Sequence, residues 1–177
     1  MERRGYLSAG AFVPEVVLEH PEVVSQLHRE FIRAGSDIVQ AFTYYGHREK
    51  LRLIGKEDLL EPLQKNALQI AKDARDEFKD LDLLVCGDVA NTNIYNPDDK
   101  KSHIECQKMY EEQVGWAKEA GVDFIVAETI NWTGEMKIAL KAIKDAGMIA
   151  VTNFSIKKGD KTRAVSYTHL RAHETVL

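Results

Sequence analysis

The chain has 177 residues, of which 44% are hydrophobic, and a formal net charge of −4; this suits one domain with a sizeable core. Its 24 lysines and arginines are spread along the sequence, which argues against a nucleic-acid partner, since that needs a clustered basic face. No apolar run approaches the ~20 residues that span a bilayer, and Met1-Glu2-Arg3-Arg4-Gly5-Tyr6 has no apolar core, so neither a membrane segment nor a signal peptide is expected.

In chain order, the first predicted helix covers residues 21–34. Pro21 suits its first turn, where a missing N–H costs nothing. Val23, Leu27 and Phe31 recur at i, i+4, i+8 as one apolar stripe, and Gly35 stands at the C-cap. Ile38-Val39 opens a short buried strand, followed by the polar and aromatic run Gln40-Ala41-Phe42-Thr43-Tyr44-Tyr45. A second helix is predicted over 59–78, with Leu63, Ala67, Ile70 and Ala74 on one face. The next strand is predicted over 81–86, broken by Gly87-Asp88, and a polar loop follows through Asn91, Thr92, Asn93 and Asn96.

Ser102-His103-Ile104-Glu105 has capping-box spacing, so the third helix is expected to start there and run to about residue 120. A third strand is predicted over 124–127, ending at Glu128-Thr129, then a helix over 135–146 and a strand over 149–152. Ala34-Gly35-Ser36-Asp37-Ile38-Val39 is echoed by Ala120-Gly121-Val122-Asp123-Phe124-Ile125, with a shorter copy at Ala146-Gly147-Met148-Ile149. Repeated helix-to-strand junctions of one kind imply parallel strands with helical crossovers. A β/α barrel and an open doubly wound sheet both satisfy this. No Gly-x-Gly-x-x-Gly or Walker-type loop follows a strand, which lowers the nucleotide-binding version, and the polar residues gather after strand ends, as barrel enzymes require.

Two cysteines are present, Cys86 and Cys106. Neither belongs to a CxxC or Cys/His cluster, and a lone pair in a chain of this size reads as reduced thiols of a cytoplasmic protein. His28 sits inside the first helix, far from a strand end, and reads as structural. Residues 164–177, Ala164-Val165-Ser166-Tyr167-Thr168-His169-Leu170-Arg171-Ala172-His173-Glu174-Thr175-Val176-Leu177, show neither alternation nor a helical stripe. Val165 to Thr175 resembles a translated sequencing-library adapter, so the expected division is residues 1–163 as a barrel domain and 164–177 as a non-native tail. His169 and His173 have zinc-compatible helical spacing but no third ligand in view.

Arg4-Gly5-Tyr6, the block from His20 to Tyr45, and Val122-Asp123-Phe124-Ile125-Val126-Ala127-Glu128 together resemble the homocysteine S-methyltransferase family, most closely its betaine-using members. The resemblance implies a (β/α)8 barrel, present here only in part: about four parallel strands, corresponding to the family's second to fifth. It implies transfer of a methyl group from betaine, or as second choice S-methylmethionine, to the thiol of homocysteine. Zinc held by three cysteines serves the complete family enzyme. The Asn-Cys and Gly-Gly-Cys-Cys settings of those cysteines do not occur here, nor does the Gly-Asp-Gly motif of the family's first strand, so no metal is expected to bind this piece and it is expected to be inactive alone.

Glu128 matches the family glutamate that holds the homocysteine amino group. Tyr45, Tyr44 and Phe12 match aromatic positions of the methyl-donor pocket, and Thr43 belongs to the same matched run. A quaternary ammonium cannot donate a hydrogen bond, which makes aromatic faces its natural receptor; ordinary core packing is the competing role. Asp88 and Thr129 depart from the glycine and tyrosine usual in betaine-using members. Self-association into a homo-oligomer is compatible with this reading. The alternative from another class is a non-catalytic half-barrel that binds or interacts. Nothing in the residues supports an unrelated barrel aldolase or lyase, which needs a strand-end lysine or a phosphate loop.

Overall fold

The computed structural model describes residues 5–6 and 14–155. Four parallel strands, β1 (Ile38–Gln40), β2 (Leu84–Val89), β3 (Phe124–Ile130) and β4 (Ala150–Phe154), pair in chain order. Helices α2 (Pro21–Arg33), α4 (Leu60–Asp76), α5 (Lys100–Ala120) and α6 (Thr133–Asp145) precede or connect them. Short helices α1 (Val16–Glu19) and α3 (Arg48–Arg52), and a 3-10 turn at Glu57–Leu59, complete the described elements. Neither short helix has enough length to show an apolar period, so pattern alone does not reveal them.

The repeated junctions work as the sequence suggests. Gly35, Gly121 and Gly147 all have positive φ, at 99°, 74° and 77°, a left-handed conformation that glycine adopts without Cβ strain. The aspartate in the second copy also braces the sheet. Asp123 Oδ2 accepts from the Val85 amide at 2.7 Å, tying the start of β3 to β2.

Alternation divides the sheet. Val39, Val85, Ile125 and Ala127 join one core cluster with the helices. The partners Ile38 and Leu84 face the other way, 44% and 43% exposed, with Val151, at 46%, beside Val126. Helices thus cover one side, and the other is the open concave side of a partial barrel.

Several expected boundaries move. β2 runs through Gly87 and Asp88 instead of breaking there. A Cβ on Gly87 would lie 3.0 Å from the Ala117 Cβ, so this glycine admits the close approach of α5 rather than ending the strand. α5 begins at Lys100, capped by Asp99, whose side chain accepts from Lys101 N at 2.9 Å. Ser102 Oγ instead donates to the backbone at Asp99 and Asn96. In α2 the buried residues are Val24, His28 and Ile32. The predicted stripe is displaced by one, because Leu27 and Phe31 line an open cleft beside β1 and Phe31 is 60% exposed. The α4 face of Leu63, Ala67, Ile70 and Ala74 is buried as expected. The proposed division at residue 163, the tail histidines and Phe12 lie outside the described residues.

Candidate functional site

The carboxyl ends of β1, β2 and β3 share an unusual backbone feature. Among the described residues, three non-glycine residues have positive φ: Tyr45 at 58°, Asn93 at 65° and Thr129 at 55°. Each lies at or just after one of these strand ends. A bulky or β-branched residue in this conformation costs on the order of 1–2 kcal/mol, so the surrounding packing must hold it. At β3 the strain accompanies a register irregularity between Ala127 and Ile130, a device that re-aims side chains.

The turn after β1 is braced from three sides. Thr43 is buried, and its hydroxyl donates to the Asp88 carbonyl at 2.9 Å. Gln64 of α4 donates to the Gly46 carbonyl at 2.5 Å. A Cβ on Gly46 would meet Leu63 at 2.8 Å and the Thr43 carbonyl at 2.9 Å, so only glycine fits. His47 caps α3 and is 1% exposed. Burial, reinforced by the charge of Lys50, lowers its pKa to about 4, so it is neutral near pH 7.

This bracing presents Tyr44 and Tyr45 at the strand end. Their ring centroids lie 4.3 Å apart. The Lys50 ammonium sits 4.3 Å from the Tyr45 centroid, which shows that this ring face accepts a cation. The Thr129 hydroxyl donates to the Glu128 carbonyl at 2.8 Å, so the Tyr44 hydroxyl donates to Thr129 Oγ1, at 2.7 Å. Burial raises the Tyr44 phenol to about 12, and it stays protonated.

Glu128 is half-buried near the end of β3 and accepts from Gln40 Nε2 of β1 at 3.2 Å. Asp88 of β2 pairs in register with Val126, which puts its side chain on the same concave face as Glu128. Asp88 is 3% exposed, and neither carboxyl oxygen has a hydrogen-bond partner. Burial first, then the charge of Glu128, holds its pKa well above the carboxylate range. The nearby Gln40 amide, whose hydrogen bond is to Glu128, lowers it only in part. A cleft of about 430 Å³ is lined by Gln40, Phe42, Tyr44, Asp88 and Glu128, with Leu27, His28 and Phe31 on its α2 side.

The structure therefore brings Glu128, Tyr44 and Tyr45 to one end of the sheet. Thr43 lies behind them with its hydroxyl engaged. Nothing in the local sequence singles out Gln40: its partner is 88 positions away, and no local signal reports such a pair. Asp88, in sequence only a departure from the family pattern, is a buried residue of β2. His28 is buried, with its pKa lowered by burial to about 4.

Comparison with known proteins agrees with this architecture. The homocysteine S-methyltransferase family model matches residues 2–176, and the chain belongs to that family. It is 36% identical over 165 residues to betaine–homocysteine S-methyltransferase 1 of Mus musculus, covering 90% of this chain and 39% of the relative. The corresponding protein of Danio rerio is 37% identical over 149 residues, covering 83% of this chain and 36% of the relative. The chain thus spans about two fifths of the mouse relative's length. The oxidized form of the homocysteine methyltransferase MmuM from Escherichia coli superposes with a TM-score of 0.79 at 21% identity, over 97% of this chain and 63% of that one. Its metallated form gives 0.75 at 23%, over 97% and 64%. These two likenesses support the fold.

The described residues do not make a zinc site. Cys86 lies on β2 and Cys106 on α5, both buried and free. Burial raises their thiols to about 12 and about 11, which opposes the thiolate that zinc requires. Among the described residues no group of three or more His, Cys, Asp or Glu side chains converges as a metal site.

Proposed function

We propose that this chain forms the amine-binding and methyl-donor part of a homocysteine S-methyltransferase, the remainder of the barrel supplying what the described residues do not. The observation that carries the reading is the convergence of Glu128 from β3 with Gln40 and Tyr44 from the β1 end in one cleft that runs along β1 to the strand carboxyl ends. Barrel enzymes place their chemistry at that end.

Glu128, held in place by the Gln40 amide, pairs with the substrate ammonium and orients the amino acid. The Tyr44 and Tyr45 rings receive the onium methyl donor, which needs an electron-rich face and no hydrogen-bond acceptor. Sulfur attacks the methyl carbon in line as the bond from that carbon to the leaving nitrogen or sulfur breaks, and the thiol proton leaves to solvent. The residues here contribute orientation and exclusion of water. Identity to a betaine–homocysteine enzyme supports betaine as donor, and S-methylmethionine is the second choice, since its sulfonium suits the same faces. Zinc would supply an activated thiolate in the complete barrel, and the described residues do not fit the ion.

The two free cysteines suit a reducing cytoplasmic setting. No helix among the described residues is long and apolar enough to cross a membrane. The exposed concave-face residues Ile38, Leu84 and Val151 favour self-association. Residues 164–177 are assigned no role in the barrel.

Titration of the chain with L-homocysteine tests the proposal. Glu128→Ala should weaken binding about tenfold or more, as a charge-assisted hydrogen bond is lost. Equal affinity in the variant removes Glu128 from the site.

A further inference from the structure

We propose that Asp88 is a second ammonium-binding carboxyl beside Glu128, making the cleft selective for a ligand that carries a primary ammonium. This rests on the reading of the cleft as an amino-acid substrate site. Asp88 and Glu128 lie on adjacent strands and the same face, and both line the cleft. Asp88 is almost fully buried with both oxygens unpartnered, and a buried carboxyl in that condition carries a full desolvation penalty. The protein answers it only in part, through the nearby Gln40 amide, which pulls the Asp88 pKa down slightly against burial. The Gln40 amide donates to Glu128, and no lysine or arginine is among the residues that line the cleft.

The missing partner must be a cation that donates hydrogen bonds. A primary ammonium offers three N–H donors, enough for Glu128 and for Asp88 together. A quaternary ammonium offers none and leaves Asp88 unpaired. Two carboxyl groups are too few for a calcium or magnesium cage. The acidic pair therefore reads the amine of the acceptor amino acid, and the aromatic faces of Tyr44 and Tyr45 are left for an onium group.

A proton is linked to this contact. The groups around Asp88 are Glu128 from β3, Cys86 on its own strand, Tyr44 beyond β1, and His28 from α2 on the same cleft. Burial keeps the Cys86 thiol, the Tyr44 phenol and the His28 imidazole uncharged at neutral pH. Glu128 is thus the charge that acts on Asp88, and it favours a protonated Asp88 in the empty cleft. When an ammonium docks, the Asp88 carboxyl ionises against it. The O–H bond breaks, the proton leaves to solvent, and the R–NH3+ group remains intact.

Calorimetric titration of the whole chain at pH 7, in two buffers of different ionisation enthalpy, tests this. The probes are L-homocysteine, N-acetyl-L-homocysteine, glycine betaine and methylammonium chloride. Homocysteine should bind with net proton release, and its N-acetyl derivative about tenfold or more weaker. Asp88→Asn should weaken homocysteine about tenfold and abolish the proton release. The 13C shift of the Asp88 carboxyl, followed by NMR in the unaltered chain, gives the same answer without a variant: it should move from the protonated to the ionised position on binding. Homocysteine binding with no proton release and an unmoved carboxyl shift overturns the role of Asp88 and leaves the substrate reading standing. Proton-linked binding of methylammonium without binding of homocysteine supports the ammonium site and overturns the substrate reading. Failure of every ammonium probe to bind overturns both.

Discussion

Two buried carboxyl groups in this chain have opposite surroundings. Glu135, in the first turn of α6, is 2% exposed. It accepts from the Thr92 amide at 2.7 Å, the Thr92 hydroxyl at 2.5 Å and the Tyr110 hydroxyl at 3.2 Å. Tyr110 in turn reaches the Ala90 carbonyl at 3.1 Å. This network ties the loop after β2 to α5 and α6. Asp88, 3% exposed, has no such partner. The chemistry and the burial match, and only the partners differ. Where the fold satisfies the carboxyl, it acts as a clamp; where the fold withholds partners, the group is kept for something that arrives.

The largest way to test that contrast is Glu135→Ala. It strands the Thr92 N–H and removes one partner each from the buried Thr92 and Tyr110 hydroxyls, and should cost about 3 kcal/mol of stability in urea unfolding. A loss below that of an ordinary surface substitution would dissolve the contrast. Acid should act next. His28 and His47 have their pKa values lowered to about 4 by burial. Between about 6.5 and about 4 the unfolded chain binds protons that the native chain refuses, so stability falls as pH drops through that window, by on the order of 3 kcal/mol for each histidine. A urea midpoint that is flat from pH 7 to pH 4 contradicts their neutral burial.

Gly87→Ala should cost about 1–2 kcal/mol, because the new methyl meets Ala117; thermal melting reads it. Asp88→Asn runs the other way. The native Asp88 pKa is raised, so its penalty appears as pH rises above the ordinary carboxylate range. The variant should gain on the order of 1 kcal/mol at pH 7 and almost nothing at pH 3. A loss at pH 7 would mean that Asp88 is a clamp like Glu135. Deleting residues 164–177 should leave the melting temperature unchanged, whereas a clear drop makes that segment part of the fold.

Much of the framework is readable from local pattern. The α4 stripe and the three glycine junctions announce their elements because they depend on neighbours in sequence. The strand ends do not yield to that approach. Gly87 looks like a break until α5 is seen against it. Phe31 looks like core until the open cleft beside β1 is seen. Glu128 and Tyr44 are legible through a family resemblance. Gln40, the orphaned state of Asp88 and the strained Thr129 emerge only when separate strands are brought together. Such features depend on tertiary contacts, which propensity and periodicity do not encode.

A crystal structure of the chain with L-homocysteine tests the central claim most directly. The expected result places the ligand in the cleft at the strand carboxyl ends, its ammonium within hydrogen-bond distance of both Glu128 and Asp88, and its sulfur toward Tyr44 and Tyr45. An ammonium seated away from both carboxyl groups, or a cleft left empty at saturating ligand, contradicts it.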